Sequence, residues 1–494
     1  MRQRDFLLHI SPEVRVPLFR RLAQAIAQSI REGRLRPGDA LPGSRQLAGQ
    51  TGANRKTVVE AIRELEAEGW VLSEPNRGTY VAPVLPERAL PDAPGGIESP
   101  RSEVAGFEVP GHLDPLSAQV PGALYLAEGF PDPRLAPAAA LAKGYQRALH
   151  RHGNRLLDFG EPMGSSHLRE GLAGWLSARG GYPVQADEVL VTRGGTAAIA
   201  LLGLALLEPG DSVAVEEPGN RQAWDALAQR GNIRLVPVRV DQEGLDPEDL
   251  ERVLTRQRIR ALYLTPRRQY PTTVPLSPAR RRRILALSEH HGFAILEDDL
   301  DAEHGFQETL DPPLAMEDLG RRAIRVVSFS HLIAPGLHLG CVVAPAHLVD
   351  RLARLQRNLG WQGDRVLGWA VAELIRDGDL ARQLRRARLV YGDRMVRLMN
   401  RLRGCFGSAL AWDPPRGGLA LWIRPGLPVS TAAWVMAARV RGLVLHSPSH
   451  FFLNGEGAGL RLGFAQHDLP TLDEAVLRLE AALEDAAAIA SRGR

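Results

Sequence analysis

The sequence predicts an α/β protein with two folded parts, a small N-terminal winged helix-turn-helix and a large three-layer α/β domain. Three observations lead to this prediction. The chain has 494 residues, more than one hydrophobic core normally supports. Three helical patterns followed by two short β-prone runs fill the first 82 residues. From about residue 122 onward, apolar strands alternate with amphipathic helices, as in a largely parallel sheet covered by helices.

The N-terminal part begins with three predicted helices. Residues 17–33 repeat apolar side chains every four positions and therefore predict an amphipathic helix. A short second helix starts near Ser44. The third helix covers "RKTVVEAIRELEAEG", with Asn54 as its cap and Gly69 as its stop. Residues 70–82, "WVLSEPNRGTYVA", then predict a hairpin, which completes a winged helix-turn-helix.

This arrangement predicts a DNA-binding surface. The third helix enters the major groove, and the hairpin tip reaches the minor groove. Charge favours the same interpretation over a helical bundle with merely solvated arginines. Residues 1–83 carry 13 Lys and Arg against 9 Asp and Glu, and the remaining chain carries 48 of each. The predicted DNA-binding residues are Arg45, Asn54, Arg55, Lys56, Thr57, Arg77, Gly78 and Thr79.

The rest of the chain divides into a tether and the large domain. Residues 83–121 contain eight prolines and show no helical or strand period, so they predict an extended tether after the domain at 1–82. The large domain is expected over 122–494. Within it, Gly194-Gly195-Thr196 opens a predicted helix directly after a strand, where free backbone N–H groups would favour an anion.

Composition excludes several classes of protein. No apolar stretch is long enough to span a bilayer, and residues 1–30 lack the apolar core of a signal peptide. Two cysteines suit a reducing cytoplasm rather than a disulfide framework, and no metal site is predicted. Lysine is rare: Lys56 and Lys143 are the only lysines among 61 basic residues. Arginine cannot replace lysine where a neutral primary amine reacts.

Two groups of motifs carry a family resemblance. "LRPGDALPGSRQLA", Asn-Arg-x-Thr-Val, "LEAEGW" and "RGTYVA" resemble the GntR-type winged-helix domain. "LDFGEPMGSSHLREGLAGWL", "VTRGGTAA", "VEEPGN", "LTPRRQYPTT", "LEDDLD", "SFSHLIAPGLHLG" and "LRLGF" resemble, in order, the aminotransferase-like fold-type I domain of pyridoxal-phosphate (PLP) enzymes. Together they resemble the MocR subfamily of GntR regulators. The resemblance implies a bacterial, cytoplasmic transcriptional regulator that acts as a homodimer on double-stranded operator DNA at the nucleoid.

The resemblance also implies a PLP pocket, but His331 holds the position of the Schiff-base lysine. Imidazole has no primary amine, so covalent PLP binding is predicted absent. Asn220 and Leu300 replace tyrosines that contact the ring, and His338 replaces the phosphate arginine; these losses argue against tight non-covalent binding as well. The implied residues of this degenerate pocket are Gly194, Gly195, Thr196, Asn220, Asp298, Leu300, Ser328, Ser330, His331 and His338.

Three functions stay open at this point. The first is a regulator whose large domain is catalytically inactive and serves effector sensing or dimerisation, with Arg193, Arg267, Arg268 and Arg461 as candidate contacts to an anionic effector. The second is a PLP-binding enzyme fused to a DNA-binding domain, either aminotransferase-related or a dehydratase that uses the histidine as a base. The third is non-covalent PLP, or its amine form, as a regulatory ligand. Asp298 would then pair with the ring nitrogen, or, alternatively, would be satisfied by backbone. Arg461 would bind a substrate carboxylate or form a structural ion pair.

Overall fold

The computed structural model describes residues 16–74, 77–86, 121–306, 311–426, 429–455 and 457–492. The chain divides into two compact units, residues 1–116 and 117–494. Most of the predicted tether, 83–121, lies outside the described residues.

The N-terminal unit is a winged helix-turn-helix, as the sequence predicts. Its elements are α1 (Leu18–Arg31), α2 (Ser44–Thr51), α3 (Arg55–Ala67), β1 (Val71–Glu74) and β2 (Gly78–Val81). The two strands form an antiparallel hairpin in which Val71 lies opposite Val81. Leu22, Ile26 and Leu47 are fully buried with Val58 and Leu65 of α3, so the apolar faces of the three helices form one core.

The large unit contains helices and strands in alternation. Its helices are α4 (Ala138–His152), α5 (Ser166–Gly180), α6 (Gly195–Leu206), α7 (Arg221–Leu227), α8 (Pro247–Arg256), α9 (Pro278–His291), α10 (Phe329–Leu332), α11 (Ala346–Asn358), α12 (Arg365–Arg376), α13 (Asp379–Phe406), α14 (Thr431–Val440) and α15 (Leu469–Arg492). Its strands are β3 (Leu124–Tyr125), β4 (Val189–Thr192), β5 (Ser212–Glu217), β6 (Arg234–Asp241), β7 (Gly244–Leu245), β8 (Ala261–Leu264), β9 (Ala294–Asp299), β10 (Ala323–Ser328), β11 (Gly340–Val343), β12 (Leu410–Ala411), β13 (Ala420–Pro425), β14 (Leu443–Val444) and β15 (Leu460–Gly463).

The main sheet has the strand order β4-β11-β10-β9-β8-β5-β6-β7. Strands β10, β9, β8, β5 and β6 are parallel to their neighbours in that row. Strand β11 runs antiparallel to both β4 and β10, and β7 runs antiparallel to β6. The predicted, largely parallel sheet is therefore confirmed, with these two reversed strands as an addition.

Helices cover both faces of this sheet. On β5, Val213 and Val215 belong to the core beneath α6, α7 and α11, whereas Ala214 belongs to the core beneath α8 and α9. On β9, Leu296 belongs to the first of these cores and Ile295 belongs to the second. Since successive strand residues point to opposite faces, the acidic residues that end β9 alternate as well. This alternation gives the three-layer fold and decides where each carboxylate of "LEDD" lies.

A second, antiparallel sheet of order β12-β13-β15 packs with α13, α14 and α15 around its own core. Sequence analysis did not predict it. The beginning of the unit packs on this part: β3 pairs with β14, and Gly463 of β15 donates its N–H to the Leu126 carbonyl at 2.8 Å. A Cβ at Gly463 would overlap the carbonyl oxygen of Glu128, so only glycine permits this approach. The helices that the structure describes include none long and apolar enough to traverse a bilayer.

Candidate functional site

A cavity of about 330 Å³ lies where β4, β9 and β10 of the main sheet reach their carboxyl ends. Parallel strands bring the residues that follow them to one edge, which is why ligand sites form there. The structure brings together at this cavity all ten residues that the resemblance assigned to a cofactor pocket, from Gly194 to His338, and also Arg193. It adds wall residues that the sequence analysis missed: Phe130, Ile199, Gln222, Ala223 and Pro335.

One end of the cavity is built for an anion. Helix α6 starts at Gly195, and its cap residue Gly194 has φ 91° and ψ 174°, a conformation reserved for glycine. No side chain caps this helix, so its first N–H groups remain available to a ligand. A Cβ at Gly195 would come within 3.1 Å of the Ser328 side chain. The buried Ser328 and the partly exposed Ser330 add hydroxyl groups at this end.

Asp298 forms the floor of the cavity. Its Oδ2 accepts a hydrogen bond from the Tyr263 hydroxyl at 2.8 Å, whereas its Oδ1 is buried and has no hydrogen-bond partner among the described residues. Burial raises the pKa of Asp298 to about 7, with Asp299 and Asp301 adding to the rise and the Tyr263 bond opposing it. The hydrogen bond to Asp298 thus comes from a side chain and not from backbone, and one oxygen stays unpaired.

His331 lies in the short helix α10 and packs its ring against Phe130, with 4.7 Å between the ring centroids. Its Nδ1 is buried and lacks a hydrogen-bond partner within the described part of the chain. Burial lowers the pKa of His331 to about 4, so the imidazole is neutral at physiological pH. His304 donates its Nε2–H to the His331 backbone carbonyl at 2.9 Å, which holds the helix in place.

Asn220 is engaged within the protein. Its side-chain oxygen caps α7 by accepting from the Ala223 N–H at 3.4 Å, and its amide nitrogen donates to the Tyr263 hydroxyl at 3.5 Å. Neither lysine lines the cavity: Lys143 is exposed on α4, and Lys56 belongs to α3 of the N-terminal unit.

The four candidate effector arginines do not form one site. Arg193 lines the cavity and is exposed to solvent. Arg267 is fully buried and forms ion pairs with Asp299 at 3.0 Å and Glu303 at 3.3 Å. Asp299 follows Asp298 on β9 and points to the opposite face of the sheet, where Arg325 also binds it. The expectation that Arg267 faces the cavity is therefore corrected: it neutralises a buried carboxylate on the other side.

Arg268 and Arg461 also have internal partners. Arg268 is buried, donates to the Arg267 carbonyl at 3.4 Å and lies 3.9 Å from Asp311. Arg461 donates to the Pro271 carbonyl at 3.1 Å, lies 3.7 Å from Asp301 and stacks over the Tyr270 ring at 4.3 Å. These contacts agree with the structural ion-pair interpretation of Arg461.

A second cavity of about 250 Å³ adjoins the first and shares Phe130, Asn220, Gln222, Leu300 and His331 with it. Tyr270 and the half-exposed Glu128 line this outer cavity, and Arg461 lines neither of the two. Glu128 accepts a hydrogen bond from His446 at 2.7 Å. Burial raises the pKa of Glu128, but the contact with His446 and nearby positive charge lower it further, so the pKa lies below its usual value. The outer cavity therefore presents the Glu128 carboxylate together with Arg221 and Asp225, which form an ion pair at 3.4 Å.

In the N-terminal unit, Asn54 caps α3 by accepting from the Lys56 N–H at 3.0 Å. This cap fixes the first turn of the helix, where Arg55 and Lys56 are exposed and Thr57 is half-buried. Arg55 Nε donates to Ser44 Oγ at 3.4 Å, so Ser44 orients the arginine across the helix-turn-helix. The predicted contact residues Arg45, Arg55 and Lys56 lie on or beside the second and third helices, and all are exposed.

The hairpin tip carries the remaining predicted DNA contacts. Arg77 is exposed and pairs with Glu74 at 2.9 Å, and its backbone carbonyl accepts from the Tyr80 hydroxyl at 2.9 Å. Gly78 has φ 123°, which the tight turn requires. Thr79 places its hydroxyl 3.3 Å from that of Ser73 on the facing strand.

The sequence analysis missed two supporting residues, Tyr263 and Ser44. Tyr263 stands two positions before a strand-end threonine in an apolar run, a pattern that suggests only a buried strand. Its position beside Asp298 follows from the pairing of β8 with β9. Ser44 starts α2, and its hydrogen bond to Arg55 depends on how α2 and α3 cross.

Comparison with known proteins gives two family matches. Residues 18–81 match "Bacterial regulatory proteins, gntR family", and residues 124–479 match "Aminotransferase class I and II". The chain is 28% identical over 478 residues to the probable rhizopine catabolism regulatory protein MocR of Rhizobium meliloti, covering 96% of each protein. It is 31% identical over 374 residues to 2-aminoadipate transaminase of Thermus thermophilus, covering 74% of this chain and 91% of the transaminase.

A solved structure shows the same fold. The α-aminoadipate aminotransferase LysN of Thermus thermophilus, complexed with N-(5'-phosphopyridoxyl)-L-leucine, superposes with a TM-score of 0.69 and 29% sequence identity. The match covers 75% of this chain and 94% of LysN.

Proposed function

Because the chain belongs to the aminotransferase class I and II family over residues 124–479 and carries a gntR-family domain at residues 18–81, we propose that it is a DNA-binding transcriptional regulator of the MocR type whose large unit is not a transaminase. In this proposal the large unit binds a small effector without a covalent bond. The observation that carries the proposal is the cavity itself, which has the floor and anion end of a cofactor site and His331 in place of an amine.

The residues present fit part of PLP, the cofactor that the family implies. The N-terminus of α6 with Ser328 and Ser330 would hold a phosphate, and the carboxyl group of Asp298, which lines the cavity, would pair with a protonated ring nitrogen. The chemistry that PLP supplies depends on a bond to a primary amine. His331 has none, and Lys143 lies on the exposed face of α4, so the fit extends to binding and not to covalent attachment.

The DNA-binding role is tested with the full-length protein and its own promoter region in a gel-shift assay. Arg55→Ala removes a side chain placed to reach base edges, and we expect a loss of roughly 5- to 100-fold in affinity. Arg45→Ala should weaken binding to all DNA sequences alike. It should also reduce the slope of log affinity against log salt concentration by about one, the value of one phosphate contact. Arg282→Ala, an exposed arginine of α9, is the matched control. Unchanged affinity for both variants would contradict the assignment.

The absence of covalent chemistry is tested by adding stoichiometric PLP, reducing with borohydride and weighing the protein. We expect no pyridoxyl adduct, because the cavity offers no primary amine. His331→Lys alone should not restore tight binding, since Asn220 lines the cavity with an amide and not with an aromatic ring that could stack on the ligand. An adduct that maps to a residue of the large unit would refute the proposal.

We further propose that the protein acts as a homodimer, so that two winged helices bind two half-sites of one operator. Light scattering measures the mass directly, with twice the chain mass of 54.0 kDa as the expected value. The effector would then change the affinity of this dimer for DNA.

A further inference from the structure

Resting on the proposed function, we infer that the large unit also binds the operator DNA, through phosphate contacts made by Arg385 and Arg386 on the outer face of α13. The winged helix reads the base sequence, and the large unit adds contacts that do not depend on it. Both arginines belong to a cluster whose positive charge the fold leaves unbalanced.

Helix α13 concentrates positive charge in a part of the chain that is balanced as a whole. Residues 84–494 carry 48 basic and 48 acidic side chains, whereas the 28 residues of α13 include eight arginines and two aspartates. Five of these arginines have partners: Arg382 pairs with Asp379, Arg394 with Asp132, Arg397 and Arg401 with Asp473, and Arg403 lies over the Trp412 ring. The side chains of Arg385, Arg386 and Arg388 form no ion pair or hydrogen bond with any residue that the structure describes.

The positions of Arg385 and Arg386 do not favour the helix that carries them. Arg382 lies three residues before Arg385 and four before Arg386, and Arg388 lies three residues after Arg385. Like charges at these spacings are neighbours on a helix surface and destabilise the helix. Both arginines also lie in the first half of α13, away from the C-terminal end where the helix dipole favours positive charge. Helix stability therefore does not explain the cluster, whereas a polyanion bound to this face would relieve its repulsion.

Two other helices with several arginines have a structural explanation. On α9, Arg280, Arg281 and Arg283 each form an ion pair with an acidic residue at 2.7 Å. On α11, Arg354 and Arg357 lie in the last two turns, where the helix dipole favours them. The cluster on α13 differs from both groups, because it has neither acidic partners nor a favourable place on its helix.

The chemistry of the cluster fits a phosphate backbone. Arg385 and Arg386 are exposed, and the planar guanidinium group of each can bind a phosphate through two hydrogen bonds. The exposed acid of α13, Asp393, lies about two turns beyond Arg386 and leaves this end of the helix positive. Among the phosphate polymers, DNA is the one that the gntR-family domain of the same chain binds under the proposed function.

A membrane surface fits the same face less well. Leu389 and Val396 are the exposed apolar residues of α13, with 71% and 47% of their surface accessible. A helix that lies in a membrane surface presents a continuous apolar face opposite its basic one. Here the apolar face of α13 is buried in the core of the large unit, where Leu398 and Leu402 are inaccessible.

The experiment measures how tightly the full-length protein binds its own promoter region at several salt concentrations. Each phosphate contact contributes about 0.9 to the slope of log affinity against log salt concentration. The double variant Arg385→Ala/Arg386→Ala should therefore reduce this slope by roughly two. Between about 50 and 200 mM salt, it should lose roughly tenfold less affinity than the natural protein loses.

The matched control removes the same charge from other surfaces. Arg282→Ala/Arg439→Ala replaces two exposed arginines, one on α9 and one on α14, and should leave the slope unchanged. Thermal unfolding checks the fold of both proteins. The midpoint of Arg385→Ala/Arg386→Ala should be no lower than that of the natural protein, because alanine favours a helix and the substitutions remove repulsion.

Ethylation interference identifies the phosphates that are contacted. The double variant should become insensitive to ethylation at some of the phosphates that matter to the natural protein, and it should remain sensitive at the others. Arg55→Ala in the winged helix should instead relax the preference for the promoter sequence and keep the phosphates that α13 contacts.

Equal salt slopes and equal interference patterns for the double variant and its control would overturn the inference. So would a double variant that keeps its DNA affinity but no longer binds vesicles of anionic phospholipid, since the cluster would then serve a membrane surface. Both results leave the proposed regulator intact, because the promoter is still bound. A natural protein that binds no promoter DNA at any salt concentration rejects the regulator and the DNA contacts of α13 together.

Discussion

Tyr263 donates its hydroxyl hydrogen to Asp298 across 2.8 Å, from one parallel strand to the next, and this contact leaves the second carboxylate oxygen of Asp298 unpaired. Burial makes the ionisation of Asp298 costly, and the hydrogen bond from Tyr263 offsets part of that cost. Glu216 lies on the neighbouring strand β5 and has its pKa raised to about 8 by burial. Asp298 and Glu216 therefore keep their protons in the folded protein at pH values where an unfolded chain has already released both.

Asp298→Asn should stabilise the fold at high pH. Burial raises the pKa of Asp298 to about 7 from 3.8, so the folded state keeps a proton that the unfolded state loses. The stability of the natural protein accordingly falls as pH rises between these values, and it stays lower above them. The advantage of asparagine should grow by roughly 2 kcal/mol between pH 5 and pH 8 in urea unfolding. Asp350→Asn, an exposed change on α11, should show no such growth.

Asp299→Asn should destabilise the large unit and leave the cavity intact. Asp299 is the shared partner of Arg267 and Arg325, and all three are buried. Removing one charge from a buried ion pair typically costs about 3–5 kcal/mol, because the remaining charges lose their partner. Glu251→Gln breaks the surface pair with Arg283 and should cost less than about 1 kcal/mol. Equal unfolding midpoints for the two variants would show that the buried network contributes little.

Asn54→Ala should destabilise the winged helix by about 1 kcal/mol, since the α3 cap to the Lys56 N–H is lost. Asn54→Ser keeps a capping oxygen and should lose less. Hydrogen exchange in the first turn of α3 measures the effect directly. If the first turn of α3 becomes less ordered, DNA affinity should also fall, because Arg55 and Lys56 lie in that turn.

Gly194→Ala should weaken phosphate-bearing ligands and lower stability by about 1–3 kcal/mol. Its φ of 91° and ψ of 174° lie in a region that only glycine occupies without strain, and the strain falls at the start of α6. Gly174→Ala is the contrasting change, since that glycine is exposed on α5 with open space around it. Alanine there should stabilise the helix by about 0.5–1 kcal/mol. A Gly194→Ala protein with unchanged ligand affinity would place the anion elsewhere.

Local patterns predicted much of this protein. The cap at Asn54 and the strand β5 are determined by residues that are close together in sequence, and both predictions agree with the structure. Ten of the cavity-lining residues followed from the family resemblance. The sequence did not predict to which face of the sheet each charged side chain points. Arg267 and Asp298 both stand in a polar motif at the end of an apolar strand, so their sequence contexts are similar. Arg267 nevertheless binds Asp299 on the far face of the sheet, whereas Asp298 lines the cavity.

The antiparallel sheet β12-β13-β15 was missed for a related physical reason. Two of its three strands are four residues long or shorter, and their partners are distant in sequence. Short apolar runs do not by themselves distinguish a strand from a buried helix. Only the tertiary pairing decides between them.

The contact between Gly463 and the Glu128 carbonyl has a consequence for biosynthesis. The wall that carries Glu128 and Phe130 is synthesised early in the large unit, but it packs on β15, which leaves the ribosome among the last strands. Contacts this distant along the chain form late. The winged helix, made of neighbouring segments, is complete long before them. A growing chain would thus acquire its DNA-binding unit first, and a product truncated before residue 460 would be a DNA binder that no longer responds to its ligand.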